Sequence, residues 1–211
     1  MNKNFKLIII LLAFTLVSCK KEATLSEYKF SEKGLVINCD GIDQKLINEA
    51  LFAFEDDIIH FYMKGKSYQN EALAYSQFLR EGINGTAKYN EIATPHTVEI
   101  FNVLKDNKAL WNLDGSSSLL NYKSSFFTCI ANNIQDQRLK TTLNALVSTN
   151  SMSPKLFGSA LMSKYRSVST DKYLAAYMAF DLFYAKLFNV DLTQVKEREP
   201  EKVDFNQIPQ P

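Results

Sequence analysis

Two rhythms of apolar residues divide the chain. From Leu7 to Val17 the chain is apolar but for Thr15, with Lys3 and Lys6 before it and Lys20-Lys21 after it. Beyond residue 41, apolar positions recur every three or four residues with charges between them, the period of a helix that buries one face. Ile42, Leu46, Ile47, Ala50, Leu51, Phe54, Ile58, Phe61 and Tyr62 set the first such helix, 42–63. The same spacing predicts helices over 69–80, 95–110, 118–132, 137–148, 154–165 and 171–188. Gly82-Ile83-Asn84-Gly85 closes the second of them. Thr94-Pro95 and Ser153-Pro154 open two others with an N-cap residue and a proline, whose missing N–H costs nothing at the first helical position. Leu35-Val36-Ile37 is strand-like but has nothing comparable to pair with, so it is read as extended entry chain.

These elements predict an all-α fold, a single-domain bundle of about seven helices over residues 34–195. A polar tether, 19–33, is expected before it. A loose tail, 196–211, is expected after it, with Pro200, Pro209 and Pro211 among charges. In the last helix Tyr173, Tyr177, Phe180, Tyr184 and Phe188 form a stripe, and Leu174, Ala175, Met178, Ala179, Leu182 and Ala185 cover other faces. A helix apolar nearly all round is enclosed by other helices, so the stripe is read as packed core before it is read as a ligand pocket. Asp181 interrupts it. A buried carboxylate without a partner is costly, so Asp181 is expected on an exposed strip or beside a lysine or arginine, with a polar site as the remaining reading.

Composition changes this picture little. The chain of 211 residues has 24 basic and 23 acidic residues. With two lysines in the first 18 residues, the remainder is close to neutral and carries no clustered basic run. Nucleic acid, which draws a basic excess onto its phosphates, is therefore not an expected partner. The length suits one domain, large enough to bury roughly 70% of its unfolded surface without a metal or dense disulfides.

The first apolar run reaches about half of the roughly 20 residues that cross a bilayer, and its order of charged, apolar and small residues is that of a signal peptide, 1–18. Leu16-Val17-Ser18-Cys19 resembles the lipobox of bacterial lipoproteins. That resemblance implies diacylglycerol on the Cys19 thiol, removal of residues 1–18, and acylation of the new amino group. Lipid on Cys19 would then hold the protein on a membrane, each buried methylene contributing about 0.8 kcal/mol. Lys20 stands where such proteins carry an aspartate for inner-membrane retention, and Lys20-Lys21-Glu22 is unlike an acidic surface-export tag. The expected location is the outer membrane, on its periplasmic face. Phe54-Glu55-Asp56-Asp57-Ile58, 143–150 and Tyr173-Leu174-Ala175-Ala176-Tyr177 resemble helical lipoproteins of Bacteroidota, a resemblance that implies no activity and no motif residues.

Candidate chemistry is sparse. Asp56 and Asp57 lie one turn before His60, so a carboxylate and an imidazole could share a helix face and grip a metal, but di-iron bundles use two Glu-x-x-His pairs and Asp57-x-x-His60 occurs once, so a polar helix face is expected and no metal. His96, after Pro95, sits in a helix's first turn, where free backbone donors could hold an anion but capping is the ordinary role. Ser169-x-x-Lys172 superficially resembles the nucleophile motif of penicillin-binding enzymes, without the Lys-Thr-Gly that accompanies it. No nucleophile elbow, Walker loop, dinucleotide fingerprint or Cys-x-x-Cys is present, so neither enzyme nor cofactor is expected. Cys39 and Cys129 leave two readings open. Bonded, they close a long loop that the chain-entropy model values at roughly 4 to 5 kcal/mol; free, Cys129 packs as a small hydrophobe beside Phe126 and Phe127. Trp111 is an exposed anchor for a partner or a loop tryptophan folded onto the core. The expected function is a non-enzymatic interaction module facing another envelope protein. The alternatives are a carrier of a small apolar ligand between aromatic helices, and a metal-dependent enzyme whose cleft joins Asp57 and His60 to acids from other helices.

Overall fold

A computed structural model describes residues 24–113 and 118–198; the expected signal peptide, Cys19 and the tail beyond 198 lie outside the described residues. The protein is all-α. Its helices are α1 (Gln44–Met63), α2 (Glu71–Asn84), α3 (Tyr89–Ile92), α4 (Pro95–Leu104), α5 (Ser125–Asn133), α6 (Gln137–Ser148), α7 (Pro154–Met162), α8 (Tyr165–Val168) and a composite α9 over 172–187. A single antiparallel bridge, Trp111 with Leu120, is the extended pairing among the described residues. No described helix is long and apolar enough to cross a membrane.

Helix starts follow local chemistry. The side chains of Asp43, Asn70, Thr94, Ser124, Asp136, Ser153 and Asp171 each accept from a backbone N–H of the first turn, satisfying donors that a helix leaves free. Ends depart more from expectation. α2 runs through Gly82 and stops at Gly85, which takes the left-handed conformation (φ 69°) and lets Thr86 N–H reach back to the Glu81 carbonyl at 2.9 Å. α4 stops at Leu104, well short of the expected 110, because Asn107 folds the chain into a turn by accepting from Ala109 N at 2.9 Å. The helix expected from 118 starts only after Ser124, since residues 118–122 are used in the bridge and in contacts to α9. The segment expected as 154–165 is broken into α7 and α8.

α9 is one helical rod with an unexpected middle. Lys172–Tyr177 and Ala185–Leu187 are α-helical, whereas Met178–Tyr184 is π-helical, and every residue of that π segment is buried. Such wide turns are rare and short in most proteins, and they shift the side chains after them around the helix axis. Phe180 meets Phe126 and Trp111, Phe183 meets Phe54 and Phe78, and Tyr184 donates to the Ala50 carbonyl at 3.0 Å. The stripe is therefore core, as the all-round apolar pattern predicts.

The entry chain is part of this body. Asn48, buried on α1, accepts from Val36 N (2.7 Å) and Ile37 N (2.9 Å) and donates to the Ile37 and Gln44 carbonyls (both 2.8 Å). Glu49 accepts from Lys29 N at 2.6 Å and Phe30 N at 3.1 Å, and Glu99 accepts from Ser26 N at 2.8 Å. Residues 24–33, expected as a spacer with no need to fold, are thus laid along α1 and α4, with Leu25 and Phe30 against the core. Cys39 and Cys129 are disulfide-bonded, with Cα atoms 5.9 Å apart, so the same arm is joined covalently to α5.

Candidate functional site

Polar residues of α1 build the main candidate site. Glu49, Asp56 and Asp57 lie seven and eight residues apart, about two helical turns, and so project along one side of α1. The start of α4 packs against that side. Its capping residue Thr94 and first-turn residues His96 and Thr97 bring donors to the carboxylates. His96 Nε2 is 2.7 Å from Glu49 Oε1, with both residues buried. Thr97 Oγ1 donates to Asp57 Oδ2 at 2.5 Å. From the far end of the chain, Arg198 donates to Asp56 Oδ2 at 2.5 Å and to Asp57 Oδ1. A cleft of about 230 Å³ remains among Lys29, Phe30, Asp57, Thr94, His96 and Arg198.

Asp57 is 1% exposed. Burial pushes its carboxyl up to about 7, although Arg198 and the Thr97 hydroxyl draw it down, while Asp56 adds a smaller upward push. The site can hold a carboxylate poised between its two protonation states, beside a buried imidazole, in a space open to small groups.

Of the two carboxylates one turn before His60, Asp56 shares its face as expected and Asp57 turns to other partners. His60 Nδ1 lies 2.8 Å from the Asp56 carbonyl and 3.2 Å from its carboxylate. Asp56 is four residues before His60 and stacks above it; Asp57 is three before and points toward α4 instead. Among the described residues no three His, Cys, Asp or Glu side chains converge as metal ligands do. His96, expected to act only at the helix start, is the histidine that enters the cleft. A helix start and a proline signalled its position, but its partner Glu49 is 47 residues away in sequence.

Asp181 corrects a second expectation. It is not exposed, and among the described residues it has no ion-pair partner: it is fully buried in the π segment, where Ser118 Oγ donates to it and Tyr122 Oη donates at 2.9 Å. The Tyr177 hydroxyl is buried nearby, close enough to favour the charged form but outside hydrogen-bonding geometry. Burial raises the carboxyl above its ordinary value, and the hydroxyls of Ser118, Tyr177 and Tyr122 oppose that rise.

Trp111 is turned inward. It is 5% exposed, its Nε1 donates to the Leu104 carbonyl at 2.8 Å, and its ring meets Phe180 and Phe188. It shares the Leu104 carbonyl at the end of α4 with the Asn107 N–H (2.9 Å), so it is no surface anchor; Leu113, 63% exposed, is the large apolar residue of that loop that faces out. Lys172 of the Ser169-x-x-Lys172 pattern is likewise committed elsewhere. Its Nζ lies 2.7 Å from Glu55, which also accepts from the Tyr75 hydroxyl at 2.7 Å, and Ser169 Oγ donates to the Arg166 carbonyl.

No family model, no curated protein and no solved structure matches the chain.

Proposed function

We propose that the protein is an envelope lipoprotein, held by lipid on Cys19 at the periplasmic face of the outer membrane, whose helical body is a non-enzymatic interaction module. The observation that carries this reading is the clamping of residues 24–39 onto α1 and α5 by Asn48, Glu49 and the Cys39–Cys129 disulfide. Five Cα steps separate Cys19 from Thr24. An extended chain gains at most about 3.6 Å per step, so a lipidated Cys19 lies within roughly 18 Å of the folded arm. A body on so short a leash works at the bilayer surface and meets partners that share the membrane. The disulfide fits an oxidising compartment, which the cell envelope provides. Near-neutral charge fits a protein partner better than a nucleic acid.

A second reading, carriage of a small apolar ligand, is favoured by a hollow of about 340 Å³ between the arm and α1, lined by Tyr28, Phe30, Leu35 and Asn48. That volume lies at the lower end of the range for small-molecule sites. Lipid extracted from the purified protein would favour the carrier.

Fractionation of cells that make Cys19→Ala tests the anchor. The variant is expected to stay unlipidated and mostly unprocessed and to leave the membrane fraction; retention equal to the unaltered protein overturns the lipoprotein reading. Cross-linking of the intact lipidated protein then identifies the partner.

A further inference from the structure

The cleft on α1 and α4 already contains a cation. The Arg198 guanidinium bridges Asp56 and Asp57, and the segment that delivers it, 195–198, has no regular secondary structure. We propose that this cleft is a binding site for a guanidinium or primary ammonium group on a slender chain, and that Arg198 occupies it as an internal, displaceable ligand.

Four features support displacement over simple stapling. First, the acidic half of the site is built without Arg198: Thr97 holds one oxygen of Asp57, and Asp56 and Asp57 are adjacent residues of α1. Second, an ion pair to a buried carboxylate gains little over an apolar contact of the same size, yet leaving Asp57 without a cation is costly, so the site favours exchange of one cation for another over standing empty. Third, the Arg198 side chain is 30% exposed while Asp57 is 1% exposed, so the cation can leave toward solvent and the carboxylate cannot follow. Fourth, the space of about 230 Å³ continues past the guanidinium toward Lys29, Phe30, Thr94 and His96. It falls below the usual range for drug-sized ligands and suits a head group with a few methylenes. A coil segment with few buried contacts is also where local opening is least costly.

The chemistry is recognition only, with no bond made or broken. Two carboxylates set side by side favour the planar, forked guanidinium over the compact ammonium. The inference shares with the proposed function only that the body binds rather than catalyses, and its test needs no membrane.

The test uses the full-length protein purified in detergent, with N-butylguanidinium and n-butylammonium as probes and calorimetry as the readout. Arg198→Ala, which empties the site, is expected to bind N-butylguanidinium saturably and at least tenfold more tightly than the unaltered protein, with n-butylammonium weaker. Arg198→Ala combined with Asp57→Asn is expected to lose that binding at least tenfold. On the unaltered chain, rising N-butylguanidinium should move the Arg198 side-chain NMR resonance toward its free value, which keeps the test open if the variant folds poorly. A short peptide, acetyl-Gly-Arg-Gly-amide, distinguishes the sources of the cation: tenfold tighter binding than the small probe assigns a partner's arginine, and equal binding a free small molecule. Equal, unsaturable binding to unaltered and Arg198→Ala protein, with no movement of the Arg198 resonance, overturns the proposal. Loss of membrane retention in Cys19→Ala leaves it untouched.

Discussion

At Asp57 the sign of the pH dependence is fixed by burial. The unfolded carboxyl titrates near 3.9, while the folded one is pushed up to about 7. Between those values the folded state binds more protons than the unfolded state, so this group's contribution to stability declines as pH rises from about 4 to about 7 and is level outside that window. Asp56, Arg198, Thr94 and Thr97 face the carboxylate, His96, Lys29 and Glu197 share its cleft, and Tyr184 of α9 lies close enough to feel its charge. Asp57→Asn should therefore gain on the unaltered protein as pH climbs through the window, by up to about 4 kcal/mol, in urea unfolding at pH 4, 6 and 8. A difference that is the same at all three would show that burial does not penalise this charge. Asp181 calls for a different substitution test, because hydroxyls surround it. Asp181→Asn keeps an acceptor for Ser118 and Tyr122 and should cost little, whereas Asp181→Ala strands both hydroxyls and should cost about 2–5 kcal/mol. Equal losses would mean that the π segment does not depend on that acceptor. Of these residues, sequence singled out Asp57 and Asp181 but not their surroundings. Arg198 is 141 positions from Asp57 and Ser118 is 63 from Asp181, and no local spacing reports such pairs.

Elements were legible where their determinants are local. The caps at Asp43, Thr94, Ser153 and Asp171 act within three or four residues, so the starts of α1, α4, α7 and α9 can be read from the chain. Where helices end and how they meet depends on partners distant in sequence. Gly82 looks like a stop but is a contact position on α2, 3.7 Å from Leu182 Cβ at the place a Cβ would occupy. The π segment has no counterpart in the apolar period, which is satisfied equally by an unbroken α-helix. Gly158 shows how close the elements come. A Cβ there would lie 2.6 Å from Ile83 Cδ1, so α7 rests against α2 with room for hydrogen only. Gly158→Ala should destabilise by about 1–3 kcal/mol through overpacking. Adding Ile83→Ala, which removes the clashing atoms, should restore much of that loss; a double variant as unstable as the sum of the two singles would locate the constraint in the backbone. Thermal melts of the four proteins decide it.

For the molecule as a whole, the decisive connection is the one between the arm and the body. Cys39 lies at the end of the entry chain and Cys129 on α5, 90 residues later, and the loop between them contains α1 to α4. Without that bond the arm rests on the packing of Leu25, Phe30 and Ile37 and on hydrogen bonds to Asn48, Glu49 and Glu99, of which the buried ones contribute about 1–3 kcal/mol each. With it, the unfolded chain loses the freedom of a long loop, worth about 4–5 kcal/mol in the chain-entropy model and typically 2–4 in practice. Reductant should thus lower the unfolding free energy of the otherwise unaltered protein by about 2–4 kcal/mol. Because the bond restrains the arm more directly than it restrains α6 or α7, reduction should also open the arm first. Limited proteolysis followed by mass spectrometry should then show cleavage between residues 24 and 39 rising well before the helices are cut. Should the reduced protein keep both its stability and an uncut arm, the noncovalent contacts of the arm alone would suffice to hold it. The short leash proposed between membrane and body would then be independent of the redox state of the compartment.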